Sequence, residues 1–487
     1  MIKTNLMKHI KNLIGLLLGT LLLLSCDRTF EEINTDTSKI IEPTAGSMLI
    51  PIQYGLASNG YMRANDFTFD IMQIMIDFPN VGNTLSRYYM TENTGNGYWN
   101  TSYKWLKQIQ EMNSLAVAQG DKNYEAISLV LNAWTYANLT DTFGDIPFSE
   151  ASRIDEGISK PKFDKQKEIY IKLLDDLKKA NSLFDAQTKL TEGDLYFAAN
   201  TDANGILKWK KFTNSLSLRL LTRILKKNGE VNIYERIQEI IKDPATYPLM
   251  QNNTESAVMA LSGVAPLVSP ISRPQDFTTF RAAGEFFVNT LADNKDPRMA
   301  TFLTQAKDLN NKNIGFKGAP AGYKQDMVFD YQPSNFNQNL SKAPMKIIMM
   351  PYAEVQMILA ELSFKGIISG DTKTYYQNGI KASIEEWGGV VPADYFTNPK
   401  VAYNGTFEQI MLQKYVTLYF VDQQQWYEKR RTGFPKLPNN GGLLNDGKLP
   451  QRLMYPAQTK ILNTENYNAA VQAMGADDIN TLTWWNQ

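Results

Sequence analysis

Apolar residues recur at helical spacing in two neighbouring stretches of the chain. A short break at residues 119–121 separates the two stretches. The positions that share a face are Trp105, Ile109, Met112 and Ala116 in the first stretch, and Ile127, Val130, Leu131 and Trp134 in the second. Residues three and four apart lie on the same side of an α-helix. The pattern therefore predicts two amphipathic helices joined by a tight turn, which is an αα-hairpin.

The same arrangement recurs further along the chain. Stripes at helical spacing are formed by Tyr170, Leu173, Leu174 and Leu177; by Phe212, Leu216, Leu220 and Ile224; by Tyr352, Val355, Ile358, Leu359 and Leu362; and by Tyr376, Ile380, Ser383 and Trp387. Thr406 with Gln409 forms a capping box before a further helix. We therefore predict a mainly α fold, in which tetratricopeptide-like helix pairs form a scaffold with long irregular loops and few short strands.

Two regions break this periodicity. Residues 86–103 are dense in Asn, Gly, Thr and aromatics, and we predict a loop there. Residues 250–345 crowd Pro, Gly, Asn and Ser, and a long irregular stretch of this kind is usually functional or disordered. Its scattered aromatic residues argue against disorder. Neither region has the composition of a linker, so we predict a single domain over residues 41–487, with residues 250–345 as its loop-rich ligand-binding part.

The N-terminus has the pattern of a lipoprotein leader. Three lysines precede an apolar run at residues 13–24, which is too short to span a bilayer as a helix. We predict that residues 1–25 are a cleaved signal peptide. The chain's single cysteine, Cys26, follows directly, and Leu-Leu-Ser-Cys resembles a bacterial lipobox. We therefore predict lipidation of Cys26, a spacer over residues 26–40, and membrane contact through the lipid anchor only.

The residue after Cys26 is compatible with anchoring in either of two membranes. An Asp in this place, here Asp27, keeps some Gram-negative lipoproteins in the inner membrane. In Bacteroidetes-type bacteria an acidic flank instead accompanies export to the cell surface.

Charge and composition exclude several classes of function. The chain has 50 basic and 50 acidic residues, and removal of the leader takes away three lysines, so the mature protein is slightly acidic. Without a basic excess we expect no nucleic-acid partner. The single histidine, His9, lies in the leader, which excludes His- or Cys-ligated metal and haem sites from the mature chain. No D-x-[DN]-x-[DN]-G spacing occurs, so we predict no metal and no cofactor.

An ordered series of short motifs runs through the chain. It includes LTDTFGDIPFSEA from residue 139, WKKFTNSLSLRLLTR from residue 209, MMPYAEVQMILAELSF from residue 349, and EKRRTGFPKL followed by LPQRLMYP. Behind a lipobox, this series resembles the SusD/RagB group of outer-membrane nutrient-binding lipoproteins, in particular its SusD-like branch. The resemblance implies a hinged lid over a TonB-dependent outer-membrane transporter, a SusC-like barrel, that captures an oligosaccharide or other nutrient. It also implies four tetratricopeptide-like helix pairs and a ligand site built from irregular loops.

A saccharide site needs aromatic faces for the sugar ring and polar side chains for its hydroxyls. The loop at residues 86–103 supplies this mixture twice, in the clusters Arg87, Tyr88, Tyr89 and Tyr98, Trp99, Asn100. The second cluster resembles the place where SusD-like proteins hold a Trp and an Asn against the ligand. Core packing of its two rings is an equal alternative. Weaker candidates, for which core packing is favoured, are Phe277, Phe280, Tyr331 and Phe336.

Other charged residues suggest catalysis only weakly, and we predict that the protein is not an enzyme. Asp141 and Asp145 could form a carboxylate pair for glycoside cleavage, but among 50 acidic residues such spacings arise by chance, and we expect both to cap turns at the end of a helix. Arg430 and Arg431 should satisfy carbonyls and carboxylates where a helix ends, with Glu354 and Glu361 as candidate partners. A secreted glycoside hydrolase and a helical-repeat scaffold for protein interactions remain the alternatives.

Overall fold

The predicted helix pairs are present in the computed structural model, which describes residues 43–79 and 82–487. The predicted signal peptide, Cys26 and the spacer lie outside the described residues. The α-helices are α1 Ala45–Arg63, α2 Phe69–Ile71, α3 Asn96–Gln119, α4 Lys122–Phe143, α5 Gln166–Leu183, α6 Gly205–Arg223, α7 Asn228–Val231, α8 Ile233–Lys242, α9 Glu285–Asn294, α10 Met299–Phe302, α11 Tyr352–Phe364, α12 Thr372–Glu386, α13 Phe407–Thr417, α14 Gln424–Thr432, α15 Ala457–Leu462 and α16 Thr464–Met474. The fold is mainly α, as predicted.

Local sequence signals set the ends of these helices. Gly120 has φ +72°, which ends α3, and the Asp121 side chain then accepts hydrogen bonds from the first N–H groups of α4. Asp371 caps α12 in the same way. The predicted capping box is half formed, since Thr406 accepts from the Gln409 N–H but the Gln409 side chain accepts from the backbone N–H of Asn404. Helices α3 to α6 pack in sequence on their neighbours, and α11 pairs with α12.

The strands of the described residues form four two-stranded antiparallel ribbons. They are β1 Met75–Asp77 with β5 Arg281–Ala283, β2 Ile146–Pro147 with β3 Phe163–Asp164, β4 Ala257–Leu261 with β8 Met345–Met350, and β6 Lys307–Asp308 with β7 Tyr331–Gln332. Three of the four include a strand from residues 250–345. Backbone pairing therefore holds this loop-rich region in place, although its turn-rich composition disfavours long strands.

Aromatic packing fixes the same region to the helices. The Tyr419 ring, directly after α13, lies 4.1 Å from Phe302 and 5.5 Å from Phe287, measured between ring centroids. Phe277 and Phe336 join this cluster and are fully buried. Each buried ring removes a large apolar area from water, so these aromatic residues of the region at 250–345 share a core with the helical scaffold.

A cluster of buried charges joins five helices, α4, α6, α11, α13 and α14. It contains the cations Arg223, Lys414 and Arg431 and the carboxylates Asp141, Glu361 and Glu428. Arg431 binds Glu361 through two hydrogen bonds of 2.6 Å, which is one of the pairings expected from the sequence. Glu354 instead binds Arg219 of α6. Burial alone would raise the pKa of Glu428, but Arg431 and Lys414 hold that pKa well below its usual range.

None of the described helices is both long enough and apolar enough to cross a membrane.

Candidate functional site

An open pocket of about 560 Å³ lies where β1–β5 meets the β6–β7 ribbon. We call it the loop-face pocket. It is lined by Phe78, Arg281, Ala282, Thr304, Gln305, Lys307, Asn313, Gln332, Pro333 and Asn335. All but Phe78 belong to the region at 250–345. A pocket of this size is within the range that holds small ligands, and its walls combine one ring with several polar side chains.

One wall is fixed by internal hydrogen bonds. The Asn335 side-chain amide donates to the carbonyl oxygens of Thr278 and Arg281, at 3.0 and 2.7 Å. Thr304 donates its hydroxyl to the Asn335 carbonyl and accepts from the Asn335 N–H, both at 3.2 Å. Because the Asn335 amide and the Thr304 hydroxyl are hydrogen-bonded within the protein, they fix the shape of the wall. Other lining side chains are better placed to bind a ligand.

Arg281 is held in position by contacts with a π-helix. Residues Ala64–Thr68 form a π-helix, a form that is rare and often found at functional sites. Its Asn65 accepts a hydrogen bond of 3.0 Å from Arg281 Nη1, and Asp66 lies 3.8 Å from Arg281 Nη2. The guanidinium side chain is 17% exposed. Arg281 is therefore held in one orientation at the edge of the pocket.

Three polar side chains stand side by side on the opposite wall. Lys307 pairs with Gln332 on one side and with Asn313 on the other, both in antiparallel register. Residues directly opposite in antiparallel strands project to the same face, and all three line the pocket. Within the part of the chain that the structure describes, these three side chains form no hydrogen bond or ion pair. They are available to a ligand.

Phe280 precedes the lining residue Arg281 in the chain and presents its ring to solvent. It is 68% exposed and has φ +57°, a left-handed conformation that a bulky residue seldom adopts. Its carbonyl accepts a 3.0 Å hydrogen bond from the Phe78 N–H, which fixes its backbone next to two lining residues, Phe78 and Arg281. Strained backbone of this kind is concentrated at functional sites, where surrounding contacts enforce it.

A buried carboxyl group lies near this wall. Burial raises the pKa of Asp70 to about 8, a rise that Arg281 opposes and that Asp77 and Asp66 reinforce. Asp70 is therefore mostly protonated at neutral pH, which spares the core the cost of an ionised carboxylate.

None of the three residues of the first predicted cluster lines this pocket. Arg87 donates through Nε to the Gly442 carbonyl and through Nη1 to the Gly82 carbonyl, at 2.8 and 3.0 Å, so it ties two loops together. Tyr88 is buried against Gln73. Tyr89 is 42% exposed.

The second predicted cluster begins a helix, so the predicted loop at residues 86–103 is too long at its C-terminal end. Helix α3 starts at Asn96 because Tyr98 and Trp99 gain burial there that local composition does not reveal. Trp99 packs edge-on against Phe143 at 5.0 Å and against Tyr455 at 5.9 Å. Its remaining edge and the exposed Asn100 line a separate groove of about 320 Å³, here called the Trp99 groove.

The weaker candidates divide by burial. Phe277 and Phe336 are core residues, 0% and 1% exposed, in line with the favoured packing alternative. Tyr331 is partly buried; it donates its hydroxyl to the Gly318 carbonyl at 2.8 Å, and the Lys317 ammonium lies 3.6 Å from the centre of its ring. Phe280 alone of these four has a largely exposed ring.

The two carboxylates considered for glycoside cleavage have structural partners. Asp141 accepts a 2.5 Å hydrogen bond from the Tyr170 hydroxyl. Asp145 accepts from the Gln166 N–H at 2.8 Å, which gives the first N–H group of α5 a partner. Within residues 43–79 and 82–487, no group of three or more His, Cys, Asp or Glu side chains could hold a metal ion.

None of the ten residues that line the loop-face pocket was among the candidates named from the sequence. Lys307, Asn313 and Gln332 carry no motif, and strands of two residues bring them together. The compositional shift over residues 250–345 marks the region, but it does not single out these side chains.

Comparison with known proteins identifies the family. The SusD-like family, described as starch-binding and associating with the outer membrane, matches residues 36–456. The chain therefore belongs to the SusD-like family, as the ordered motifs predicted. No curated protein sequence matches the chain.

Solved structures show the same fold. A chitin-binding protein is 24% identical, with a TM-score of 0.78 over 91% of this chain and 100% of its own. A SusD homologue from Bacteroides fragilis is also 24% identical, with a TM-score of 0.77 over 91% of this chain and 100% of its own. A second B. fragilis SusD homologue is 23% identical, with a TM-score of 0.75 over 90% of this chain and 99% of its own.

Proposed function

We propose that this protein is a cell-surface lipoprotein that binds an oligosaccharide in the loop-face pocket and passes it to a TonB-dependent transporter. The family description, starch-binding and associating with the outer membrane, supports the ligand class and the location. The similarity to a chitin-binding protein supports a saccharide as cargo. No bond of the ligand is made or broken in this account.

The observation that carries the proposal is the exposed Phe280 with its positive φ, whose backbone adjoins a pocket lined by amide side chains. A sugar ring has an apolar face that packs on an aromatic ring and hydroxyls at its edge that bond to amides. Phe78 lines the pocket with its ring, the exposed Phe280 adjoins it through the backbone, and Gln305, Asn313 and Gln332 supply amides. The Trp99 groove, with one ring edge and Asn100, is a second place for a saccharide, but its ring is 7% exposed.

The membrane attachment follows from the N-terminal sequence. Acylation at Cys26 anchors the chain, because several acyl carbons at ~0.8 kcal/mol per buried CH₂ resist release. The partner is a SusC-like barrel in the outer membrane, over which this protein serves as a hinged lid.

Calorimetric titration with soluble oligosaccharides tests the binding function. The probes are maltoheptaose, chitohexaose and tetragalacturonate. We expect at least one to bind, and Phe280→Ala to weaken that binding at least tenfold, since loss of a stacked ring removes ~1.5 kcal/mol or more. Tyr234→Ala is the matched control, because Tyr234 is an exposed ring, 44% accessible, on α8. Equal affinity of wild type and Phe280→Ala for every probe contradicts the proposed site, and release of shorter sugars contradicts the binding-only role.

A further inference from the structure

We infer that the loop-face pocket selects acidic saccharides, which carry a carboxylate or sulfate on the sugar, and that Lys307 is the residue that recognises the anion. This inference rests on the proposed function and adds the chemical class of the ligand.

The first support is the charge of the pocket walls. Arg281 and Lys307 line the pocket, and no carboxylate does. Three other grooves of the molecule also contain cations, and in each of them carboxylates stand on the same walls: Asp176 in one, Asp175 and Glu239 in the second, and Asp145, Glu168 and Glu230 in the third. In those grooves the cations are matched within the protein. In the loop-face pocket Arg281 lies near Asp66, but Lys307 has no such match within the described residues, although the mature chain is slightly acidic.

The second support is the geometry around Lys307. Its backbone is paired on both sides, with Gln332 and with Asn313, so its stem rises between two amide side chains on one face. Across the described ranges, its ammonium has no ion-pair or hydrogen-bond partner. A carboxylate or sulfate placed over this row would accept from the ammonium at its centre and from the amide N–H groups beside it. Charge-assisted hydrogen bonds of this kind are about twice as strong as neutral ones.

Arg281 plays a lesser part in this selection. Asp66 lies 3.8 Å from its guanidinium and offsets part of its charge, and Asn65 occupies Nη1. The uncompensated charge of the pocket is therefore that of Lys307. A variant at Arg281 would also disturb the contact with the π-helix, whereas Lys307 can be changed without breaking a described side-chain contact.

Matched ligands separate charge from shape. Binding of tetragalacturonate is compared with that of its fully methyl-esterified form, which has the same rings without the negative charges. A sulfated tetrasaccharide from carrageenan tests sulfate as the anion, and maltotetraose and chitotetraose are the neutral probes. Titrations use the full mature domain with wild-type sequence, Lys307→Met, Lys307→Arg and Lys312→Met. Lys312 is an exposed lysine of the same hairpin that does not line the pocket.

We expect an acidic probe to bind at least tenfold more tightly than every neutral probe, with an advantage that shrinks as salt rises. Lys307→Met should remove most of that advantage, Lys307→Arg should restore it, and Lys312→Met should leave it unchanged. If a neutral tetrasaccharide binds as tightly as the acidic probes, or if Lys307→Met keeps the full preference, the acidic selection is overturned while the proposed binding function stands. If none of the sugars binds, both fail together.

Discussion

Replacing Glu361 by Gln should destabilise the protein strongly, because it removes a buried carboxylate that pairs with two buried cations, Arg431 and Lys414. The Glu361 side chain is 0% exposed and receives two hydrogen bonds of 2.6 Å from Arg431, with Lys414 at 3.8 Å. Glu361→Gln therefore removes one negative charge from this cluster, and the positive charges of Arg431 and Lys414 stay away from water with less compensation. Removing one member of a buried ion pair costs about 3–5 kcal/mol.

The corresponding shift in melting temperature can be worked out from the size of the unit. The entropy of unfolding is ~2.1 cal/mol/K per residue. The melting temperature of a unit of about 450 residues therefore changes by about 1 °C for each kcal/mol lost from the free energy of unfolding. Differential scanning calorimetry should therefore show Tm lowered by about 3–5 °C in Glu361→Gln. Adding Lys414→Met to this variant restores the charge balance and should recover part of the loss.

The control is an ion pair in water. Arg153 and Glu156 form a salt bridge whose side chains are 37% and 55% exposed, so Glu156→Gln should leave Tm unchanged within error. A Tm shift below about 1 °C for Glu361→Gln would show that water or rearrangement relieves the buried charge, and would refute the reasoning.

Three further predictions concern packing, pH and the anchor. Gly55→Ala should destabilise the protein by about 1–3 kcal/mol, since the added Cβ would lie 2.0 Å from the Trp105 ring. Gly97→Ala is the control and should not destabilise it, because a Cβ at that position would meet no atom within 4 Å. Urea unfolding compares the two variants. The pKa of Asp70 is about 8 in the folded protein and about 4 in the unfolded chain. Between pH 4 and pH 8 the folded protein therefore binds more protons at this carboxyl group than the unfolded chain does. Its contribution to the free energy of unfolding falls as pH rises through this range. Asp70→Asn should therefore gain Tm relative to wild type between pH 5 and pH 8, and a constant difference would contradict the buried proton. Cys26→Ser should move the protein from the membrane fraction to the soluble fraction, as judged by immunoblotting, and unchanged membrane retention would exclude this anchor.

The helices could be predicted because their signals are local. Stripes such as the one from Tyr352 to Leu362, and caps such as Asp371, act within a few residues and survive in the folded chain. The predicted start of α3 is wrong because the burial of Tyr98 and Trp99 depends on Phe143 and Tyr455, which are distant in sequence. Tertiary packing there outweighs the loop-like composition.

The residues of the site could be predicted less well than the helices. Phe280 could be named as a candidate because an aromatic residue in a polar loop is conspicuous. Its exposure and positive φ could not be foreseen, since they depend on the contact with Phe78 and on the core packing of Phe277. The row of Lys307 between Asn313 and Gln332 arises from pairing across a hairpin and a distant strand, which no local pattern encodes.

The central claim is that the loop-face pocket holds a saccharide, and the crystal structure of the protein with its tightest-binding oligosaccharide tests this most directly. We predict electron density for the sugar between Phe78 and Asn335, with one sugar ring packed on Phe280 and hydrogen bonds from the sugar hydroxyls to the amides beside Lys307. Density confined to another surface, such as the Trp99 groove, would contradict it.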